Sequence, residues 1–167
     1  MKRIGISVIP VVIAVTGLFL ANTPAYADGN TPIAESHGAW RVGAPATGAG
    51  EPVVETENGR TIDILNVSGN TYKLKLVANP NVCVASNGGG ASARAVLLPC
   101  SGSLGVDWVA SKGPDHLSCL FQNAHFGGYL SGNNNGTQFV VRGLNAAPGL
   151  RQQFAIEPGV IGVCGTS

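Results

Sequence analysis

The chain has 167 residues, of which 44% are hydrophobic and only 11% are charged, and its formal net charge at neutral pH is +1. This length is sufficient for one domain of ordinary size with a buried core. The charged residues form no runs that would neutralise successive phosphates, so a nucleic acid is not expected as a partner. The composition supports an acidic partner no better.

The first 27 residues have the features of a secretory signal peptide. Two basic residues follow the first Met, an apolar stretch continues to about residue 20, and Ala25-Tyr26-Ala27 provides small residues at the −3 and −1 positions of a cleavage site. The alternative is an uncleaved anchor, because the apolar stretch is almost long enough to span a bilayer. The Ala-x-Ala site favours cleavage. We therefore expect a secreted protein whose mature domain covers residues 28–167, with no stable membrane anchor after cleavage.

Four cysteines lie in the mature part, at Cys83, Cys100, Cys119 and Cys164. An even number of cysteines in an exported chain predicts disulfides. The spacing contains no C-x-x-C pair, so neither a zinc site nor a thioredoxin-like redox motif is expected. Three pairings are possible and the residues do not choose between them. The preferred pairing joins Cys83 to Cys100 and Cys119 to Cys164.

The mature chain has the pattern of an all-β domain. Short segments rich in Val, Ile, Leu and Thr are separated by Gly, Pro and Asn. Residues 59–67 and 71–77 flank Ser68-Gly69-Asn70, which predicts a hairpin. Two further hairpins are expected, across residues 111–115 and at Pro158-Gly159. Since no stretch keeps a helical period over 11 residues, no long helix is expected.

The three expected hairpins recur with a period of about 45 residues, which is typical of a repeat architecture. Ile64, Trp108 and Phe154 each open the strand before a turn, at separations of 44 and 46 residues. Three four-strand units are too few for an ordinary propeller, and a sandwich needs no threefold period. A closed threefold arrangement fits better, although any all-β domain has regularly spaced strands. Shorter strands start upstream of the turns at Trp40, Cys83 and Tyr129, and apolar runs follow at residues 52–54, 96–98 and 139–141.

These residues resemble a ricin-type β-trefoil, most clearly from about residue 72 to residue 157. In that family each repeat has a cysteine-closed loop that ends shortly before a Gln-x-Trp motif. Here Cys83 and Cys100 close such a loop eight residues before Trp108, and Gln152-Gln153-Phe154 is similar, with Phe in place of Trp. The resemblance implies a β-trefoil of three repeats and a lectin-like function.

The sugar-binding residues of that family are not matched. Ricin-type sites usually have an aspartate two residues after the first loop cysteine, and the corresponding positions here are taken as Val42, Ala85 and Ser131. None of these is acidic. A galactose site therefore does not follow from the resemblance, and any sugar must be held by other groups.

The strongest local candidate for a sugar site is the segment 125–139. Sugar recognition needs a flat apolar ring and amides or carboxylates that form paired hydrogen bonds with hydroxyls. An ordinary turn rich in Asn and Gly is the favoured alternative. Trp108 is expected to pack in the core. The candidate carbohydrate-binding residues are Trp40, Tyr129, Asn133, Asn134, Asn135 and Gln138.

The sequence gives little support to catalysis. The three histidines have no metal-ligand spacing, no G-x-S-x-G motif is present, and no two carboxylates can be placed at a catalytic distance. We therefore expect no enzyme activity, no metal and no cofactor. Two functions remain: a secreted module that binds an extracellular glycan through degenerate ricin-type sites, and a secreted protein-binding trefoil such as a protease inhibitor, with a loop around Arg94 or Arg142. The resemblance favours the first.

Overall fold

The structure is a computed structural model that describes residues 30–35, 41–115, 117–133, 137–144, 150–155 and 164. The expected leader and the candidate residues Trp40, Asn134 and Asn135 lie outside this part of the chain. A search of the described residues finds no helix with the length and apolar character needed to cross a bilayer.

Nearly all regular structure in the described residues is β, and the single exception is a short 3₁₀ turn at Leu150–Gln152. The strands, in chain order, are β1 (Asn30–Pro32), β2 (Ala34–Glu35), β3 (Arg41–Gly43), β4 (Val54–Thr56), β5 (Thr61–Ser68), β6 (Thr71–Leu76), β7 (Val82–Ser86), β8 (Ala95–Pro99), β9 (Asp107–Lys112), β10 (Cys119–Asn123), β11 (Tyr129–Ser131), β12 (Val140–Arg142) and β13 (Phe154–Ala155).

One set of strands closes into a barrel. The neighbours run β1, β5, β6, β9, β10, β13 and β2, and every adjacent pair is antiparallel. Only the buried Ile33 separates β1 from β2, so the sheet returns to the strand from which it started. Closure leaves this ring without a free edge.

The other strands form three hairpins, β3–β4, β7–β8 and β11–β12, that cap one end of the barrel. Three main-chain hydrogen bonds join them in a closed triangle. The N–H of Val53 donates to Ala95 O (3.0 Å), that of Ala95 to Phe139 O (2.9 Å), and that of Phe139 to Val53 O (2.8 Å). All three residues are fully buried. A six-stranded barrel capped by three hairpins around one axis is a β-trefoil, which confirms the predicted fold.

The core contains the aromatic and aliphatic residues that the repeat pattern selected. Ile64, Trp108 and Phe154 are fully buried in one hydrophobic cluster. The Trp108 indole Nε1 donates to Val84 O at 2.8 Å, so its polar atom is satisfied inside the barrel. The Phe154 ring lies 5.9 Å from Phe121 and 6.1 Å from Phe139, measured between centroids. Burying each large apolar side chain contributes about 1.5–3 kcal/mol.

The strand register shows that the first-repeat residue equivalent to Trp108 and Phe154 is Ile62, two residues before the expected Ile64. Trp108 lies four residues before Lys112, which pairs with Cys119. Cys119 in turn pairs with Phe154, on the last strand of the third repeat. In the first repeat Asn66 pairs with Tyr72, and Tyr72 pairs with Trp108 of the second repeat. The residue four positions before Asn66 is Ile62, which is therefore the equivalent of Trp108. The expected match at Ile64 was therefore wrong by one strand period. A two-residue shift keeps a side chain on the same face of a strand, which is why Ile64 is also buried.

Two disulfides fasten the repeats in the preferred pairing. Cys83 is bonded to Cys100, with Cα atoms 5.1 Å apart, and this bond ties β7 to the residue that follows β8. Cys119 on β10 is bonded to Cys164, with Cα atoms 5.4 Å apart. The first bond closes one cap hairpin, and the second links the second repeat to the end of the third.

Candidate functional site

An open cleft lies between the β7–β8 hairpin of the second repeat and the strands of the third. Its volume is about 430 Å³. One half-buried aromatic ring, Phe126, and one charged side chain, Arg142, lie among small residues and main chain. We call this the Phe126 cleft, and it is lined by Gly88, Gly89, Gly90, Ala91, Phe126, Gly127, Gly128, Val141, Arg142 and Gly143.

Phe126 is held in place by a turn that the buried Asn123 organises. The Asn123 side-chain oxygen accepts the N–H groups of His125 (3.2 Å) and Phe126 (3.0 Å), and its amide donates to Gly105 O (2.7 Å). The His125 ring meets the Phe126 ring edge-on, with centroids 4.6 Å apart. These contacts fix the turn after β10, so the ring faces the cleft in one orientation.

Gly105 allows the Phe126 ring to lie against main chain. A Cβ on Gly105 would lie 2.9 Å from Phe126 Cε2 and 2.5 Å from Ser86 O, and Gly105 has a φ of +78°. A Cβ on Gly89 would lie 3.6 Å from Phe126 Cδ1. Residues 88–90 therefore offer bare main chain opposite the ring. Such a wall lets a ligand approach backbone N–H and C=O groups directly.

Arg142 is oriented by neutral acceptors. Its Nε and Nη2 donate to Ser131 Oγ at 3.1 and 2.9 Å, and Nη2 also lies 3.3 Å from Gly132 O. Among the described residues the one ion pair joins Lys73 to Asp107, at 3.6 Å, and no carboxylate lies within ion-pair distance of Arg142. The guanidinium is thus fixed in direction, and no described side chain compensates its charge.

A row of polar and aromatic side chains continues from the cleft across three strands. Gln122 on β10 lies opposite Tyr129 on β11, which lies opposite Arg142 on β12. Residues directly opposite each other point to the same face of a sheet, and all three are partly exposed. An amide, a phenol ring and a guanidinium therefore lie side by side.

The predicted sugar-binding residues that the structure describes, Tyr129, Asn133 and Gln138, do not form one group. Tyr129 lies in the row just described, whereas Asn133 and Gln138 lie at the other end of the β11–β12 hairpin, roughly 13 Å away along the strand. The Gln138 amide donates to Ala95 O at 2.9 Å in the cap. The Asn133 N–H donates to a carboxylate oxygen of the buried Glu55 at 2.7 Å. Both residues join repeats together.

The positions equivalent to the ricin-type aspartate hold no acidic residue. Val54, Val96 and Val140 directly follow the three residues of the hydrogen-bonded triangle in the cap. Their partners on the neighbouring strands are Gly43, Ala85 and Ser131. The first-repeat match is therefore Gly43, and the expected match at Val42 was wrong by one residue. A one-residue slip places a side chain on the opposite face of the strand.

A second cleft, of about 450 Å³, lies in the first repeat. Arg60 lines it, and both Nε and Nη2 of Arg60 lie 3.3 Å from Ala44 O. None of the described residues that line this cleft is aromatic, so they offer a sugar no ring to stack on. Its lining residues are Ala44, Pro45, Val54, Thr56, Asn58, Gly59 and Arg60.

The arginines considered for an inhibitor loop are part of the cap. Arg94 forms a β-bridge with Val140, and its Nη1 donates to Ala93 O at 3.2 Å. Arg142 lies in β12. Neither residue lies on a protruding loop that could insert into the active site of a protease. Within the described ranges no three His, Cys, Asp or Glu side chains are grouped in a way that could hold a metal ion.

The fold is similar to several solved structures at low sequence identity. A mosquitocidal holotoxin matches with a TM-score of 0.66 and 21% identity, over 78% of this chain and 17% of the toxin. A designed three-fold symmetric protein, ThreeFoil, matches with a TM-score of 0.65 and 14% identity, over 77% of this chain and 97% of the design. The Polyporus squamosus lectin, solved with a human-type influenza-binding epitope, matches with a TM-score of 0.56 and 16% identity, over 75% of this chain and 47% of the lectin.

These likenesses establish the β-trefoil fold. The chain spans about one sixth of the length of the holotoxin and nearly all of the designed trefoil. No family model matches the sequence, and no curated protein matches it.

Sequence reasoning passed over most of the cleft. Phe126 lies inside the segment 125–139 but was not singled out, and Arg142 was considered only for an inhibitor loop. Nothing in the sequence pattern singled out residues 88–90. An available signal was the run Phe126-Gly127-Gly128, because an aromatic residue followed by two glycines is poorly suited to a buried strand.

Proposed function

We propose that the protein is a secreted carbohydrate-binding module of the lectin-like β-trefoil type, and that the Phe126 cleft with the adjoining Tyr129 is its sugar site. One observation carries the proposal: a fixed aromatic ring, a phenol, an amide and a guanidinium share one surface beside bare glycine main chain. The apolar C–H face of a pyranose stacks on an aromatic ring, while its hydroxyls pair with amide, guanidinium and backbone groups.

The proposed site differs from the ricin-type pattern, whose aspartate positions are Gly43, Ala85 and Ser131 here. Sugar binding would instead use the junction between the second and third repeats. We further infer that the protein acts by binding and not by catalysis. No metal or cofactor is needed for such recognition.

Secretion is part of the proposal. The signal-peptide pattern of residues 1–27 and the pairing of all four cysteines both support it. Disulfides persist in oxidising compartments and are rare in the cytosol. The expected ligand is accordingly an extracellular glycan.

The test is a glycan array probed with the protein, secreted through the leader proposed at residues 1–27 and purified with both disulfides formed. We expect retention of a subset of glycans. Phe126→Ala and Tyr129→Ala should each weaken that retention, by up to about tenfold, because stacking on an aromatic ring contributes about 0.5–1.5 kcal/mol.

The matched control is Leu104→Ala, since Leu104 is also apolar and is 65% exposed outside the cleft. This variant should bind glycans as the unmodified protein does. Silence across a broad array, from protein whose cooperative unfolding shows that it is folded, would overturn the proposed function.

A further inference from the structure

We propose that the sugar bound at the Phe126 cleft carries a negative charge, either a carboxylate or a sulfate group, and that Arg142 binds that group. This inference rests on the proposed function of the same site and names the chemical class of its ligand.

The charge of the cleft comes from one side chain. Among the described residues of the lining, Arg142 is the single charged one, and the others are glycines, one alanine, one valine and Phe126. Its Nε and Nη2 are engaged by the fully buried Ser131 hydroxyl and by Gly132 O, and Nη1 makes no hydrogen bond within the described residues. A guanidinium held this way has one nitrogen, with two N–H groups, available to a ligand.

The fold itself does not require an arginine at this point. Arg142 lies three residues after Phe139, and the equivalent positions after Val53 and Ala95 hold Thr56 and Leu98. These three residues pair with Tyr129, Arg41 and Cys83, respectively. Two of the three repeats therefore fill the position with an uncharged side chain. The arginine is specific to the repeat in which an aromatic ring and a glycine wall face the same cleft.

The surroundings strengthen an interaction with an anion. Phe126 and the glycine main chain exclude part of the water around Arg142, and Coulomb attraction increases as the local dielectric constant falls. The two N–H groups of Nη1 can donate charge-assisted hydrogen bonds to oxygens of a carboxylate or sulfate group. A neutral sugar would gain the stacking contact but would leave the positive charge unpaired. An acidic sugar gains both.

The near-neutral composition of the chain gave no hint of an acidic ligand. The net formal charge of +1 sums over the whole sequence, whereas the cleft presents one cation with no carboxylate beside it among the described residues. Local placement, not total charge, decides which ligand fits here.

The deciding experiment compares matched pairs of oligosaccharides on the unmodified, oxidised protein. One pair is a uronic-acid oligosaccharide and its carboxyl-reduced form, and the other is a sulfated oligosaccharide and its desulfated form. We expect the anionic member of at least one pair to bind about tenfold or more tightly, the effect of one charge-assisted hydrogen bond. The pair that shows the difference identifies carboxylate or sulfate as the group bound. The preference should decrease from about 0.05 to 0.5 M salt.

The variant Arg142→Gln should abolish the preference, so that both members of the pair bind alike. Arg142→Lys keeps the charge but loses the two donors by which Ser131 orients the guanidinium, and it should retain part of the preference. Arg41→Gln is the matched control, because it removes the same charge from an exposed residue of β3 outside the cleft. It should leave the preference unchanged.

The outcomes separate this inference from the proposed function. If both members of each pair bind equally well to the unmodified protein, the anionic ligand is wrong and the sugar site stands. If Arg142→Gln keeps the preference, the assignment to Arg142 is wrong. If no glycan of either kind binds, both proposals fail. Should Arg142→Gln not fold, the matched pairs on the unmodified protein still decide.

Discussion

Arg142 and Ser131 lie on adjacent strands of the third cap hairpin, and the buried Ser131 hydroxyl accepts hydrogen bonds from Nε and Nη2 of the guanidinium at 3.1 and 2.9 Å. The hydroxyl in turn donates to Gly132 O at 3.1 Å. A buried hydroxyl thereby sets the direction of a cation that reaches the surface. This links the interior of the trefoil to the chemistry of the Phe126 cleft.

Ser131→Ala should weaken glycan binding severalfold without removing any group from the lining of the cleft. The variant leaves Arg142 with Gly132 O alone as an acceptor, so more conformational entropy is lost when a ligand binds. We also expect a loss of about 1 kcal/mol in the free energy of unfolding, the usual contribution of one hydrogen bond.

Titration calorimetry and urea unfolding would measure the two effects of this substitution. Ser101→Ala, at an exposed serine in the loop after β8, serves as the control and should change neither quantity. Unchanged glycan affinity in Ser131→Ala would show that Arg142 does not depend on this hydroxyl.

The two disulfides should contribute separately to stability. Replacing Cys83 and Cys100 together by serine opens a loop of 18 residues, for which the chain-entropy model gives a loss of about 3 kcal/mol. Urea unfolding of this double variant under oxidising conditions would measure the loss. Adding a reductant should lower its midpoint further, because the bond between Cys119 and Cys164 then opens as well. A double variant as stable as the unmodified protein would contradict this account.

The elements that could be predicted from the sequence are those whose signal is local. The hairpin around Ser68-Gly69-Asn70 follows from alternation in the flanking strands, and it forms as β5 and β6 with positive φ at Gly69. Trp108 was expected in the core because one large aromatic residue opens the strand before the second turn. It is fully buried.

Register in the first repeat could not be predicted for a physical reason. Ile62 and Ile64 are both apolar and point to the same face of β5, so the pattern of period two is unchanged by a shift of two residues. The shift is fixed instead by pairing with neighbouring strands. That information lies in contacts between residues distant in the sequence.

The cleft was hidden for the same reason. Gly89, Phe126 and Arg142 come from two different repeats, and only closure of the cap brings them around one space. The side-chain amide of Gln138 bonds to Ala95 O of the second repeat, and the backbone N–H of Asn133 bonds to Glu55 of the first repeat. Local composition indicates polar groups but does not reveal which of them form hydrogen bonds within the fold.

Asp115 gives the stability a predictable pH dependence. Burial raises the pKa of its carboxyl, but hydrogen bonds from the Ser118 hydroxyl (2.6 Å) and from the N–H groups of Ser118 and Leu117 outweigh burial and hold the pKa below its ordinary value of 3.8. A group with a lowered folded pKa stabilises the fold above its unfolded pKa. This contribution is lost as the pH falls through the folded pKa.

Ser118→Ala should therefore raise the pKa of Asp115 towards its ordinary value. The free energy of unfolding should then fall less steeply as the pH is lowered. Urea midpoints taken between about pH 5 and pH 2 would measure the difference. The effect should be small, because Asp115 is largely exposed and water screens its interactions. Ser101→Ala, which removes an exposed hydroxyl elsewhere, should leave the profile unchanged. A steeper acid limb in Ser118→Ala would reverse the sign argued here.

Gly105 and Gly102 form a natural pair for testing how the cleft is built. Both have positive φ, +78° and +75°, so alanine at either position meets a similar backbone strain of about 1–2 kcal/mol. A Cβ on Gly102 has no atom within 4 Å, whereas a Cβ on Gly105 would lie 2.9 Å from Phe126 and 2.5 Å from Ser86 O. The two substitutions therefore differ in the clash alone.

We expect Gly102→Ala to reduce stability modestly and leave glycan binding intact. Gly105→Ala should cost more stability and also displace the Phe126 ring, so that glycan affinity falls by about as much as in Phe126→Ala. Chemical denaturation and titration with a glycan identified on the array would measure both quantities. Equal behaviour of the two variants in binding would mean that the ring does not need the space beside Gly105, and the cleft would then not act as the sugar platform.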